Sequence, residues 1–193
     1  MRVIAGIAKG RHLYCPRGLG IRPARDRVKE SLFNILGGLV IDRPVLDLFA
    51  GTGAMGIEAL SRGAQSCLFV ENNVSVISYI HRNLRTAGLE SRGKVLKMDA
   101  FRVLPHFVKK GVYFELAFVD PPYKIVEDTR DRKRLIRLLE GLTERNILRY
   151  PGIVVLEYRA KRVEMPDNIG RLVRFDERSY DATHLGFWHL SEE

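Results

Sequence analysis

Between residues 44 and 156 the chain alternates short, almost wholly apolar runs with longer amphipathic stretches, and this alternation leaves few folds open. Pro44–Phe49, Ser66–Val70, Lys94–Met98, Phe114–Val119 and Gly152–Leu156 read as strands. Runs that apolar must be covered on both faces. Parallel strands need long crossovers, and the intervening segments carry helical spacing: a stretch to Leu60, one around Val76–Leu84 closed by Gly88, a short one after Asp99, and Leu135–Leu139. The pattern predicts an α/β fold with a mostly parallel sheet between helices. After residue 171 it changes. Leu172–Phe175 and Thr183–Trp188 have no helix between them and predict a closing antiparallel hairpin. Before residue 44, Val3-Ile4 and His12–Cys15 predict a small basic β-hairpin. Arg22-Pro23 then stops extended chain, and Asp26 is placed to cap a helix running to Leu36, ended by Gly37-Gly38.

A chain of 193 residues, 46% hydrophobic and 28% charged, is long enough for one domain with a real core and too apolar for wholesale disorder. No run reaches bilayer-spanning length. The apolar start breaks at Lys9 and Arg11, too soon for a signal sequence, so a cytoplasmic protein is expected. Two cysteines, Cys15 and Cys67, and five scattered histidines argue against a disulfide scaffold and a metal site. The net charge is +9, and residues 1–34 hold eight basic side chains against two acidic ones. Arg2, Lys9, Arg11, Arg17, Arg22 and Arg25 therefore form a candidate phosphate-contacting segment. A solvated basic tail fits the same charge equally well.

The chemistry begins in the turn after the first strand, Asp47-Leu48-Phe49-Ala50-Gly51-Thr52-Gly53-Ala54-Met55-Gly56. Glycines here let backbone approach a nucleotide, and Glu71, 20 residues past Gly51 and followed by Asn72, is placed to hold a ribose diol. Asp47 selects among nucleotides. It would repel the pyrophosphate of NAD but attract the sulfonium and ammonium of S-adenosylmethionine. Asp99, with Ala100 after the third strand, can accept from an adenine amine, cap the following helix, or do both. Glu58 reads as an exposed or capping carboxylate.

After the fourth strand comes Asp120-Pro121-Pro122-Tyr123. The prolines fix the backbone and expose carbonyls. The Asp120 carboxylate and the Pro121 carbonyl could each accept one N–H of an exocyclic amine on a flat ring, and Tyr123 could stack on that ring. Two such acceptors localise a lone pair otherwise delocalised into the ring. The alternative is a strand-ending turn with a packing tyrosine. Residues 124–134 are rich in charge and read as a loop, either solvated or a mobile lip.

With these residues in hand, the chain resembles the bacterial methyltransferases that modify guanine N2 in 16S ribosomal RNA, the RsmD type. Arg2–Gly6, Gly10-Arg11-x-Leu13, the block Arg22-Pro23-x-x-Asp26–Asn34, Leu46–Gly53 and Phe118–Tyr123 carry the resemblance. It spans nearly the whole chain and departs at Ala24, where the family usually has threonine. It implies a Rossmann-like, seven-stranded class I methyltransferase fold, S-adenosylmethionine as cofactor, and 16S RNA, free or in an assembling small subunit, as partner. It also implies a basic extension over 1–25 and a catalytic core over 26–193. By that resemblance Asp47, Phe49, Gly51, Gly53, Gly56, Glu71, Asn72, Asp99 and Ala100 map to the cofactor, and Asp120, Pro121, Pro122 and Tyr123 to the amine site.

Three rivals remain at this level. A DNA adenine-N6 methyltransferase shares the four-residue turn, but only 70 residues follow Tyr123, little room for a target-reading domain. An NAD-linked oxidoreductase is disfavoured by Asp47. A non-catalytic RNA-binding module would need an idle Asp-Pro-Pro-Tyr turn.

Overall fold

The computed structural model describes residues 1–16, 23–159 and 163–192, with side chains described except at 23–25 and 159. The described residues hold eight strands, and the chain divides into two compact units, 1–98 and 99–193.

In the first unit, β1 (Pro44–Leu48), β2 (Ser66–Glu71) and β3 (Gly93–Lys97) pair in parallel, with Asp47 opposite Phe69 and Glu71 opposite Lys97. Four of the five β1 residues are buried, as strands covered on both faces require. The crossovers are α2 (Ala54–Ser61) and α3 (Val74–Ala87). Asn73 caps α3 through its side chain, accepting from Ser75 N at 3.0 Å, and Gly88 closes it in the left-handed conformation. Helix α1 (Pro23–Leu36) buries Val28, Leu32, Phe33 and Leu36, the face its spacing predicts. It begins three residues before the expected cap at Asp26. Pro23 lacks an N–H and has a pre-set φ, so it suits a first helical position, which leaves Asp26 in the first turn.

In the second unit, β4 (Phe114–Val119) and β5 (Leu148–Arg159) are parallel, and β5 pairs antiparallel with β8 (Thr183–Leu190). The expected hairpin is β7 (Leu172–Tyr180) with β8. The sheet has eight strands rather than seven. Asn168–Ile169 (β6) folds back on Leu172-Val173, burying Ile169, while Arg174 N donates to Asp167 O at 2.7 Å. A short 3-10 turn, Ala100–Arg102, precedes α4 (Val103–Lys110). Residues 124–134 are not a loop. Most belong to α5 (Tyr123–Glu127) and to α6 (Thr129–Glu144), joined by Asp128, whose carboxylate accepts from Arg130 N and Asp131 N at 2.9 Å each. Charge-rich sequence hid a helix start because its first turn presents almost no apolar residue, while Leu135, Leu138, Leu139 and Leu142 fill the buried face further on.

The expected N-terminal hairpin is short: Arg2 bridges His12, Val3 N donates to Arg11 O (3.0 Å), Gly10 N to Val3 O (2.9 Å) and Leu13 N to Met1 O (2.9 Å). Between its two arms the chain turns onto the end of α2. Glu58, expected at the surface, is fully buried and is the reason. Its carboxylate accepts from Ile4 N (2.8 Å) and Ala5 N (3.0 Å) and pairs with Lys29 Nζ (3.1 Å) and Arg62 Nε (2.8 Å). Ser61 continues the seam: its Oγ donates to Ala5 O at 2.6 Å and accepts from Ala8 N at 3.0 Å. Gly6 has φ +81°, and a Cβ there would sit 1.8 Å from the Ser61 carbonyl oxygen, so no side chain is possible. Val3, Ala8 and Leu13 are buried.

Replacing Glu58 by Ala leaves the Lys29 ammonium buried without its carboxylate and two backbone N–H groups without an acceptor. The expected loss is about 3–5 kcal/mol of unfolding free energy, measured by urea denaturation with fluorescence of Trp188. A loss below 1 kcal/mol would show that the seam carries no weight.

Candidate active site

The turn after β1 is built on two carboxylates. Helix α2 starts at Ala54 behind Gly53, which is left-handed at φ +80° and has no side chain to cap the helix. Asp47 takes over that task from the strand: its Oδ2 accepts from Gly56 N at 2.9 Å, satisfying one of the unpaired donors of the first turn. Asp47 is 1% exposed. Its charge, added to the larger effect of burial, pushes the Cys67 thiol well above its ordinary pKa. Glu71, at the end of β2, closes the other side. Its Oε2 accepts from Gly51 N at 2.9 Å, and its Oε1 accepts from Asn72 N (2.9 Å) and Asn73 N (2.8 Å). Phe49 and Gly51 lie at φ +59° and +54°, and Ala50 N donates to Val70 O, so the turn curls back over the end of β2.

The three glycines do different things. Gly51 is half-exposed beside Glu71 and open to a ligand, whereas Gly53 and Gly56 are buried. A Cβ on Gly56 would lie 2.4 Å from Phe69 Cε1 and 2.5 Å from Cys67 Sγ, so this glycine lets α2 sit on β2. The structure therefore gives Gly56 a packing role, and the accessible part of the predicted cofactor set in this unit is Phe49, Gly51, Glu71 and Asn72. No cation occurs between residues 47 and 56. A carboxylate-closed, cation-free turn suits a ligand that is positively charged and lacks phosphate.

Asn83 escaped the sequence reading, which had no signal for it: one polar residue in a helix face of ordinary composition. It is fully buried on α3. Its Nδ2 donates to Thr52 O (2.9 Å) and Tyr14 O (3.0 Å), and its Oδ1 accepts from Tyr14 N (2.6 Å). One amide thus ties the N-terminal segment to the glycine turn. Arg82 adds its guanidinium over the Tyr14 ring at 3.3 Å. Glu58 did leave a signal, a lone charge among Ile57, Ala59 and Leu60.

In the second unit, Asp99 caps the turn at Ala100–Arg102 through Oδ1 on Phe101 N at 2.9 Å, so its capping role is realised. Asp120 follows β4 and is half-buried. Pro121 is buried, Pro122 exposed, and Tyr123 half-buried as the first residue of α5. The Pro122 carbonyl accepts from Ile125 N at 2.8 Å, anchoring the prolines to the helix.

Of the basic segment, Arg2, Lys9 and Arg11 are exposed. Arg17 and Arg22 lie outside the described residues, and of Arg25 only the backbone, in α1, lies within them. Lys29 is no surface charge: it is 3% exposed, bound to Glu58 and donating to Arg2 O at 2.7 Å. Among the described residues no cluster of three or more His, Cys, Asp or Glu could hold a metal ion, and no helix is long and apolar enough to cross a membrane.

Comparison with known proteins agrees with this architecture. The sequence pattern described as Conserved hypothetical protein 95 matches residues 1–189. The Bacillus subtilis protein YlbH is 38% identical over 188 residues, covering 97% of this chain and 98% of that one. Ribosomal RNA small subunit methyltransferase D of Escherichia coli is 38% identical over 131 residues, 67% of this chain and 64% of that protein. The solved structure of yhhF from Escherichia coli superposes with a TM-score of 0.82 at 28% identity, covering 100% of this chain and 99% of that one.

Asn83→Ala removes three hydrogen bonds and strands the Tyr14 and Thr52 backbone groups. Unfolding free energy should fall by about 1–3 kcal/mol, with amide exchange accelerated at Tyr14. Unchanged exchange there would separate the segment from the turn.

Proposed function

The chain belongs to the Conserved hypothetical protein 95 family, the RsmD-type group its motifs resemble, and from that premise we propose that it methylates the exocyclic N2 amine of a guanine in small-subunit ribosomal RNA. The observation that carries the cofactor is the turn between β1 and α2, closed by Asp47 and Glu71 and free of cations. That donor set fits S-adenosylmethionine and would repel a pyrophosphate. Phe49, Gly51, Glu71 and Asn72 would hold it. Glu71 Oε2, which accepts from Gly51 N, keeps a lone pair for a ribose hydroxyl. Asp99 and Ala100 would meet the adenine. When bound, the cofactor supplies an electrophilic methyl group.

The chain's own residues act on the acceptor. The Asp120 carboxylate and the Pro121 carbonyl each accept one N–H of the guanine amine, turning its lone pair out of conjugation and holding it in one direction. The Pro122 carbonyl is committed to α5, so among the two prolines it is Pro121 that serves. Tyr123, held as the first residue of α5, stacks on the base. Such a base must be unpaired or flipped out of its stack. As the amine becomes cationic, Asp120 stabilises the charge and is placed to take its proton. Exposed Arg2, Lys9 and Arg11 meet RNA phosphates.

Two measurements test this. Ribosomal RNA from cells lacking the protein, digested to nucleosides and analysed by mass spectrometry, should lose one N2-methylguanosine. Loss of N6-methyladenosine instead would favour the adenine reading, and no loss would overturn ribosomal RNA as substrate. Asp120→Ala should slow single-turnover methyl transfer by about 100- to 1000-fold at saturating cofactor, with cofactor affinity unchanged. Asp120→Asn, which keeps an acceptor oxygen, should fall between. Parental turnover by Asp120→Ala would make the turn structural.

A further inference from the structure

Helix α6 carries a second concentration of positive charge, separate from the N-terminal segment. Its first half reads Thr129-Arg130-Asp131-Arg132-Lys133-Arg134-Leu135-Ile136-Arg137. At 100° per residue, Arg130, Lys133, Arg134 and Arg137 fall within about 100° of arc and span about 10 Å along the axis. All four are exposed, while Leu135, Leu138, Leu139 and Leu142 are buried. With Thr129 the four cations line an open groove of about 660 Å³.

A solvated helix face ordinarily intersperses charges of both signs. Here Arg130 and Arg134, and Lys133 and Arg137, are like-charge neighbours at i,i+4, a spacing that weakens a helix. The two acidic residues at the start of the helix are otherwise engaged. Asp128 caps the helix, and Asp131 pairs with Arg134 at 2.9 Å. Arg134 also lies over the Phe101 ring at 4.4 Å, which fixes it in the wall of the groove. Among the described residues Arg130, Lys133 and Arg137 make no side-chain ion pair. The stripe is also fixed relative to the Asp120–Tyr123 turn. Helix α5 joins them, and Arg132 Nη1 donates to Val126 O at 2.8 Å, pinning the start of α6 to the helix that Tyr123 opens. No large apolar side chain is exposed between 129 and 137, so neither a membrane nor an apolar protein surface would gain buried area there.

We propose that the Arg130–Lys133–Arg137 face of α6 is a docking surface for the RNA phosphate backbone, positioning the strand that presents its base to the Asp120–Tyr123 turn. The inference rests on the RNA reading above and adds a surface to it. Guanidinium groups hold phosphate oxygens bidentately, and a row of them along one helix face fixes register without reading sequence.

The test uses the full chain and deproteinised small-subunit ribosomal RNA, with affinity measured from low to moderate salt. The triple variant Arg130→Gln/Lys133→Gln/Arg137→Gln keeps helix propensity and relieves repulsion, so it should fold as the parent does. Its RNA affinity should drop by about tenfold or more at low salt, and its salt slope should flatten by about 2–3, one phosphate per lost charge. Cofactor affinity should not move. Arg130→Lys/Arg137→Lys should keep the parental slope. A triple variant with parental slope and affinity would overturn the proposal. So would a parent chain that binds phosphatidylserine vesicles through this face as tightly as RNA. If the parent binds cofactor but no RNA, the proposed substrate itself falls, a result distinguishable from the first because the parent, not the variant, fails.

Discussion

Helix α2 is held at both ends by buried carboxylates, and the first unit is arranged around that fact. At its start Asp47 reaches from β1 to Gly56 N; near its end Glu58 gathers Lys29, Arg62 and the backbone of Ile4 and Ala5. A carboxylate without water requires several donors, so each of these acids dictates where other segments must lie. Glu58 recruits α1 through Lys29 and the N-terminal segment through two amides. Asp47 sets the angle at which the glycine turn leaves the strand. Eight residues of helix thus connect the ligand-facing turn to the segment bearing Arg2, Lys9 and Arg11.

Asn83 closes the circuit. Because it donates both to Thr52 in the turn and to Tyr14 in the N-terminal segment, a displacement of either is felt by a buried amide that has nowhere else to bond. Over residues 1–16 the basic extension is therefore a packed part of its unit rather than a tail. Its buried residues Val3, Ala8 and Leu13 act as anchors, and its exposed cations sit on a fixed backbone. Cations held in register cost less entropy to organise on a polyanion than the same charges on a loose chain.

The parallel strands, their crossover helices and the closing hairpin were legible because each rests on apolar periodicity, which burial on two faces imposes directly. The positions of Asp47, Glu71, Asp99 and Asp120 at strand ends were legible for the same reason. What escaped was long-range polar pairing. A lone charge among apolar residues hints that Glu58 is buried, but nothing local names Ile4 and Ala5 as its partners, and the bonds of Asn83 join residues 31 and 69 positions away. The N-terminal hairpin was legible because its two apolar ends pair, but the destination of the amides between them, Ile4 and Ala5 on Glu58 and Ala8 on Ser61, was not. Helix α6 was truncated at its start because a first turn made of charges has no apolar period to detect. The eighth strand is two residues long and sits below any periodic signal.

Charge in this chain sorts by what surrounds it, not by where it clusters in sequence. Lys29 belongs by composition to the basic N-terminal block but is an internal structural cation, and Arg62, stacked 4.8 Å from the Phe33 ring while bonded to Glu58, is another. Two groups of solvent-facing cations stand on fixed backbone, the docked segment of Arg2, Lys9 and Arg11 and the α6 face of Arg130, Lys133 and Arg137. Each setting is tied by hydrogen bonds to one chemical turn of its own unit: the first through Asn83 to the glycine turn, the second through Arg132 and α5 to the Asp-Pro-Pro-Tyr turn. A polyanion gripped at either place would therefore be registered against that turn rather than merely attracted.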